Sequence, residues 1–268
     1  MKIIVESGAT KTDWCAIRDN GETKTLRTDG VNVAVMPAED LDLTIQKAVT
    51  LLNPEKEYIT DMHFYVSGLI EPRRTGNVEY VSDLVGAARS VCMREPGIVA
   101  ILGTGSNSCF YDGEKVVKNI RSGGYILGDE GSAAHLGIMF LSDFLKDAVP
   151  SEIAAAFSEQ YKADYFSIVK SVYKDGAPSR YLGSFAPWII GWYDKDEYIN
   201  SIVDGNFRQF IERALCKYEI DKYPVGVVGG FGFAYRRILT KVAQPYGIRF
   251  SEIIETPMDG LIKYHSND

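Results

Sequence analysis

The stretch Gly97-Ile-Val-Ala-Ile-Leu-Gly-Thr-Gly-Ser-Asn-Ser108 decides how the rest of the chain is read. Ile98 to Leu102 is an unbroken apolar run with β-branched residues, the pattern of a strand buried on both faces as in a parallel sheet. The run leads directly into Gly103-Thr-Gly-Ser-Asn107. Two glycines allow a backbone to turn with positive φ and to approach a ligand closely. Successive N–H groups, with the hydroxyls of Thr104 and Ser106, then form a concave anion site. The same residues also suit an ordinary hairpin turn, so the flanking sequence has to decide.

Upstream, Lys2 to Glu6 reads as a short strand, Ser7 to Thr10 as a turn, and Lys11 to Arg18 as a second strand. Asp19-Asn20-Gly21 suits a tight hairpin, and Glu22 to Thr28 completes an antiparallel meander. Glu6 ends the first strand beside a hairpin rich in hydroxyls; taken alone it is an exposed strand-end acid. Pro37 to Leu52 has helical spacing, with Leu41, Ile45, Ala48 and Leu52 on one face. Tyr58 to Val66 and Asn77 to Ser82 read as strands, and Leu84 to Cys92 as a helix of small residues after Asp83. Only Ile70 to Gly76 separates the two strand regions, whereas a parallel pair needs a crossover of about a dozen residues or more.

Downstream, Cys109 to Tyr111 and Lys115 to Asn119 read as a hairpin around Asp112-Gly113. Gly123-Gly-Tyr-Ile-Leu-Gly-Asp-Glu-Gly131 is a second glycine-rich loop, and Ser132 is placed to cap a following helix. The pattern stays mostly helical to about Tyr218. Pro224 to Val228 is a buried strand, Gly229-Gly-Phe-Gly232 a third glycine-rich turn, and a helix to about Tyr246 follows. Ile248 to Glu255 reads as the last strand and Pro257 to Tyr264 as the terminal helix. Two α/β halves, each opening on a strand and a Gly/Thr/Ser turn, imply a nucleotide cleft between them.

The 268 residues allow one large domain or two small ones, and 46% hydrophobic with 24% charged residues is ordinary for a globular protein. A net charge of −7 argues against nucleic acid or an anionic membrane as partner. Cys15, Cys92, Cys109 and Cys216 form no C-x-x-C pair, so reduced thiols are expected rather than a disulfide framework or a metal site. The first residues enter a strand pattern without a signal-like segment, and no apolar run reaches membrane-spanning length. A cytoplasmic protein is expected.

The glycine motifs together resemble the actin/hexokinase/heat-shock ATPase superfamily. Within it the chain is similar to the N-acetylglucosamine kinase branch of the BadF/BadG/BcrA/BcrD group. The first phosphate motif is Ile3 to Asp13, the second Ile101 to Asn107, and the adenosine motif Val227 to Gly232; the loop Gly123 to Ser132 is the most branch-specific piece. The resemblance spans Lys2 to Tyr264. It implies an α/β fold of two ribonuclease-H-like, actin-like ATPase domains: residues 1–96 and 97–256, with the terminal helix 257–265 crossing back to the first.

The chemistry implied is phosphoryl transfer from ATP with Mg²⁺ to a sugar hydroxyl. Gly8, Ala9, Thr10, Lys11 and Thr12 match the hairpin that offers N–H groups and hydroxyls to the β- and γ-phosphates; Gly103, Thr104, Gly105 and Ser106 match its counterpart. Gly229, Gly230 and Gly232 match the glycines that pack adenine, although tight strand–helix packing also selects glycine. Glu6 matches the acid that holds Mg²⁺ through water. The family's usual residue there is Asp followed by Gly, and here it is Glu followed by Ser, which moves the carboxylate by roughly one C–C bond, about 1.5 Å. Asp83 matches the general base, and Asn32, Asn107, Gly124, Asp129 and Glu130 match sugar-side positions. In isolation Asp83, Asp129 and Glu130 read as helix caps, and Asn32 as a turn residue.

The substrate implied is N-acetylglucosamine at its 6-hydroxyl, with glucosamine, N-acetylmuramic acid and glucose as alternatives. Two other functions fit the same fold. One is an ATP-driven activator of 2-hydroxyacyl-CoA dehydratases, which carries an iron–sulfur cluster between subunits; the other is a non-catalytic sugar or nucleotide sensor, suggested by Glu6. The resemblance also implies a homodimer through helices of the second half. Trp188, Trp192 and Tyr193 are candidates for that surface, or for core.

Overall fold

The computed structural model describes residues 1–8, 11–30, 36–69 and 71–266, with only the backbone at residue 38. Ala9, Thr10 and Asn32 therefore lie outside the described residues. The chain divides into two compact units. Unit 1 comprises Met1–Val99, Cys109–Lys118 and Thr256–Asp268, and unit 2 comprises Ala100–Ser108 and Asn119–Glu255.

Unit 1 is built on strands β1 (Lys2–Ser7), β2 (Lys11–Ile17), β3 (Thr23–Asp29), β4 (Asp61–Val66), β5 (Arg73–Thr75) and β6 (Val78–Ser82). They form one sheet in the order β3-β2-β1-β4-β6-β5. The first three strands are an antiparallel meander, and β1, β4 and β6 run parallel. Strand alternation sorts the side chains. Ile3, Val5, Trp14, Phe64 and Val66 pack with Leu41, Ala48 and Leu52 of helix α1 (Ala38–Leu52). On the other face Ile4, Cys15, Ile17, Tyr65 and Val81 pack with Met258 and Leu261. These last two come from the terminal helix, which lies against α2 (Asp83–Cys92). The approach is close at Gly260, where a Cβ would sit 2.3 Å from the Ser90 carbonyl oxygen, and at Gly86, where it would sit 2.8 Å from the Tyr65 ring.

A parallel crossover usually carries a helix, and among the described residues the connection from β4 to β6 does not. The linking segment carries β5, which pairs antiparallel with β6 through a turn at Gly76 (φ +59°). An edge strand takes the place of a helix, and this is how so short a link returns the chain to a parallel register.

The second sheet has the order β11-β10-β7-β8-β9, from β7 (Gly97–Leu102), β8 (Ser106–Tyr111), β9 (Val116–Ile120), β10 (Val225–Val228) and β11 (Phe250–Ile254). Ile98, Val99, Ala100 and Leu102 have no exposed surface, as the unbroken apolar run requires. The helices of unit 2 are α3 (Gly124–Leu127), α4 (Ala133–Phe144), α5 (Ser151–Tyr161), α6 (Tyr165–Tyr173), α7 (Pro178–Gly183), α8 (Ala186–Ile190), α9 (Glu197–Arg213), α10 (Gly230–Ala234) and α11 (Arg236–Ala243). The terminal helix is α12 (Met258–Ser266). Trp188 packs edge-on against Phe140 and Phe157, and Tyr193 is buried with its hydroxyl donating to Asp204 at 2.6 Å. Tyr193 is core, whereas Trp188 and Trp192 are half-buried. Among the described residues no helix is long and apolar enough to cross a membrane. Cys15 and Cys109 are buried, and only Cys216 of the four free thiols is exposed.

Candidate functional site

In unit 1 the β1–β2–β3 register puts Glu6, Asp13 and Arg27 in one row across the meander. Arg27 grips Asp13 with two bonds, Nε to Oδ1 at 2.5 Å and Nη2 to Oδ2 at 3.2 Å, and Lys11 lies 3.5 Å from the same carboxylate. Lys11 is thus paired with Asp13. Asp13 was not singled out from the sequence, although it alternates with Cys15 and Ile17 on the face that carries Glu6. Strand alternation sends Ser7 and Thr12 to the opposite face, where their buried hydroxyls lie 2.8 Å apart. The Gly8 N–H donates to the Lys11 carbonyl at 3.0 Å.

Glu6 faces a costly ionisation. Burial first, then the charges of Asp13 and Asp83, push its carboxyl up to about 7, against the pull of Lys11 and Arg27. Asp83 begins α2, whose N-cap is Ser82. Its Oδ1 accepts the Leu84 N–H at 2.9 Å and the Ser82 hydroxyl at 3.1 Å, and Ser67 donates to the same carboxylate. Burial nevertheless raises its pKa above the ordinary carboxylate value. Asp83 is therefore held in place by a helix start and yet made more basic than a surface Asp.

In unit 2 the glycine turn after β7 closes on itself, with the Gly103 N–H donating to the Gly105 carbonyl at 2.9 Å. Neither Gly103 nor Gly105 has positive φ, contrary to the expectation from sequence. Gly105 is required for a different reason: a Cβ there would meet Asp129 Oδ2 at 2.9 Å. The first amides of α4, Ala133 and Ala134, donate to the Gly103 and Thr104 carbonyls at 3.0 and 3.1 Å. The turn is thus anchored to a helix start, and among the described residues Thr104 and Gly105 make no hydrogen bond through their own N–H groups.

Asp129 does not cap α4; Ser132 does, accepting the His135 N–H at 3.1 Å. Asp129 sits at φ +57° and is buried. Its carboxylate accepts from the Ser106 N–H and the Ser122 hydroxyl, which offset a pKa raised chiefly by burial. It thereby ties the phosphate-type turn to the second glycine-rich loop. That loop is pinched at its neck, where the Asp129 N–H donates to the Ser122 carbonyl at 3.0 Å and a Cβ on Gly128 would lie 1.7 Å from that same oxygen. Gly124, at φ +72°, has open space around it.

Glu130 is ion-paired with Arg213 of α9. The Asn107 Oδ1 accepts the Ser108 N–H at 2.9 Å and a hydrogen bond from Asn119 Nδ2 at 2.8 Å. Both residues line a cavity of about 220 Å³. Of the adenosine-type glycines, Gly229 (φ +131°) and Gly232 pack on Leu102, where a Cβ would lie 2.4 Å from the carbonyl oxygen and 3.0 Å from the Leu102 Cβ, respectively. Gly230 faces open space.

Sequence reasoning missed Asn206. It is fully buried on α9, its Oδ1 accepts the Gly131 N–H at 3.0 Å and lies 2.8 Å from His135 Nδ1, and its Nδ2 donates to the Ser132 carbonyl at 3.1 Å. A lone polar residue among Ile199, Ile202, Val203, Phe207 and Phe210 is the signal that could have found it.

Among the described residues no group of three His, Cys, Asp or Glu side chains is placed to hold a metal ion. Mg²⁺ keeps most of its waters and takes one or two carboxylates beside phosphate, and Glu6 lies near the carboxylates of Asp13 and Asp83. The cost of ionising Glu6 is what a nearby cation would remove.

These two sheets and their glycine turns define a two-domain α/β protein of the actin-like sugar-kinase fold. A provisionally named N-acetylglucosamine kinase from Porphyromonas gingivalis is 33% identical over 100% of this chain and 99% of its own, with a TM-score of 0.91. The chain belongs to this N-acetylglucosamine kinase-like family. A second provisionally named N-acetylglucosamine kinase, from Chromobacterium violaceum, shares the fold at 17% identity, 98% coverage of both chains and a TM-score of 0.79. So does a ROK family glucokinase from Streptomyces griseus, solved with glucose and AMPPNP, at 14% identity, 99% and 98% coverage and a TM-score of 0.59. No protein-family model matches the chain, and no curated protein matches it.

Proposed function

We propose that the protein is an ATP-dependent sugar kinase acting on an amino sugar, with the 6-hydroxyl of N-acetylglucosamine as first candidate acceptor. The observation that carries the reading is Asp83: a carboxylate fixed at a helix start, made basic by burial, and close enough to Glu6 for their charges to interact. Relatives named as N-acetylglucosamine kinases and a glucokinase solved with glucose and AMPPNP support it.

In this reading Asp83 accepts the sugar hydroxyl proton. The sugar oxygen forms a bond to the γ-phosphorus, the bond from that phosphorus to the β,γ-bridging oxygen breaks, and ADP leaves with the electron pair. Glu6 would hold Mg²⁺ through water; the bound ion neutralises charge on the phosphates. The Thr104 and Gly105 N–H groups have capacity for phosphate oxygens. Gly230 is the adenosine-motif glycine with room for a ring. Asn107 and the loop containing Gly124, Asp129 and Glu130 would serve the sugar.

A coupled assay of ADP release across a panel of amino sugars tests the proposal. Sugar-dependent ADP release is the expected result. Binding of sugar and nucleotide without ADP release would favour the sensor, a reading that Glu6 in place of Asp motivates. ADP release indifferent to sugar, from a brown cluster-bearing dimer, would favour the activator.

A further inference from the structure

Helix α3 stands apart from the rest of unit 2. None of its residues is buried, and Ile126 and Leu127 are 75% and 83% exposed. Among the described elements it has no substantial packing partner. A single exposed aliphatic residue is ordinary, but two in succession on a four-residue helix leave a continuous apolar surface in water. The neck below the helix, by contrast, is fixed. The Asp129 N–H donates to the Ser122 carbonyl at 3.0 Å, the Ser122 hydroxyl donates to the Asp129 carboxylate, and that carboxylate also accepts the Ser106 N–H. A Cβ on Gly128 would lie 1.7 Å from the Ser122 carbonyl oxygen, so the neck closes only with glycine there. The neck is thus tied to the phosphate-type turn, while the tip beyond it has no comparable anchor.

Two features give the tip a direction. Gly123 (φ +79°) and Gly124 (φ +72°) follow one another where the chain leaves the neck, and glycine can exchange this conformation for others at little cost. A rotation about these residues carries 125–127 as a unit. The second feature is Leu127 itself, which lines the cavity of about 220 Å³ together with Ile120 and Phe210. Ile126 is its neighbour on the same helix, about 100° away. The space that can cover the exposed pair is therefore the cavity and what fills it. Cavity, neck and tip all belong to unit 2, so the motion is internal to that unit. We propose that residues 123–128 form a lid, hinged at Gly123 and Gly124, that closes over the cavity when a sugar enters and buries Ile126 and Leu127 against it. That the ligand is a sugar rests on the function proposed above. An empty cavity offers the two side chains polar walls such as Asn107, Glu130 and Arg213. Ordering the tip is then not offset by apolar contact, and the open form prevails until a ligand brings its own carbon atoms.

Hydrogen exchange of the full chain, read by mass spectrometry with and without saturating N-acetylglucosamine, glucosamine or glucose, follows the lid directly. At least one sugar should slow exchange of the 125–128 amides roughly tenfold. The double variant Ile126→Ser with Leu127→Ser removes the apolar cover. Both side chains are exposed, so its melting temperature should stay within about 2 °C of the wild type. In it the sugar-dependent slowing should vanish, and the calorimetric Kd for that sugar should weaken roughly tenfold. ATP hydrolysed per sugar phosphorylated should rise, because water then reaches the site. No sugar-dependent slowing, or a slowing and affinity that survive in the double variant, would overturn the lid. Slowing that grows with protein concentration in the absence of sugar would overturn it too, since a second copy would then be what covers the pair. Lid and kinase fail separately. Sugar-dependent ADP release without slowing of this segment removes the lid and leaves the kinase. Slowing by a sugar that supports no ADP release does the reverse.

Discussion

Asp83 shows how one carboxylate serves fold and chemistry at once. Its Oδ1 is engaged by Leu84 and Ser82, which favours the charged form, but burial outweighs these bonds and the pKa rises. A carboxyl whose pKa is higher in the folded chain stabilises the fold below its unfolded pKa, and that contribution is lost as pH rises through the folded value. The ionised base therefore works against stability at neutral pH. Asp83→Asn keeps a side chain that can cap the helix start and removes the charge. We expect it to retain ATP binding, to lose about 10²- to 10⁴-fold in turnover, and to have a higher melting temperature than the wild type at neutral pH. The margin should narrow in acid. Unchanged turnover would take Asp83 out of the reaction, and a lower melting temperature would contradict the electrostatic account. The position itself was legible in the sequence, because the residue follows a strand and opens a run of small residues. Its basicity was not, since that comes from burial in the folded chain, against the lowering hydrogen bonds of Ser82 and Ser67.

At the scale of elements, α9 presents Asn206, Phe210 and Arg213 on one face, spaced i, i+4 and i+7, and this face holds the second glycine-rich loop. Asn206 takes the Gly131 N–H and the Ser132 carbonyl, Phe210 fills the space a Gly131 side chain would need, at 2.5 Å, and Arg213 fixes Glu130. Asn206→Leu leaves the Gly131 N–H and the His135 ring without their acceptor, a loss of about 1–3 kcal/mol for a buried group. Because the loop carries the proposed sugar contacts, the sugar KM should rise several-fold while the ATP KM stays within about twofold. Equal loss for both substrates would mean a general loosening of unit 2 rather than a misplaced loop. The glycine turns of this region were readable as turns, and Gly124 and Gly229 take the positive φ that turns usually need, but close packing selects glycine in this region as well. Gly105 makes room for Asp129, and Gly229 and Gly232 make room for Leu102. Such neighbours lie far off in sequence, and a local pattern carries no record of them.

For the whole molecule, the order of strands and helices was legible because nearly every element has an apolar period of its own. The edge strand β5 was not, since Arg73-Arg-Thr75 is polar and exposed and owes its conformation to pairing with β6. Nor was the polar cluster that joins the chain's end to unit 1. The Tyr65 hydroxyl lies 2.7 Å from His265 Nε2, the Lys2 ammonium donates to the His265 carbonyl at 2.8 Å, and the His63 and His265 rings stack at 4.0 Å. Glu79 is the anion of this cluster, 2.9 Å from His63 Nδ1 and 3.4 Å from Arg89. The hydrogen bond to His63 and the charge of Arg89, against the cost of burial, hold its carboxyl down from the ordinary 4.5 to about 2. A depressed carboxyl adds stability that is full above its unfolded pKa and is lost as pH falls through the folded one. At 1.36 kcal/mol per unit the contribution is on the order of 3 kcal/mol. Urea denaturation of the wild type and of Glu79→Gln should therefore differ by up to about that amount at neutral pH, with the variant weaker because Arg89 keeps a buried charge without its anion. Below 4.5 the wild type should lose the advantage step by step, and by about pH 2 the two should converge. A gap that stays constant across this window would show that Glu79 contributes through packing alone, and that the chain's end is held to unit 1 by apolar contacts such as Leu261 rather than by charge.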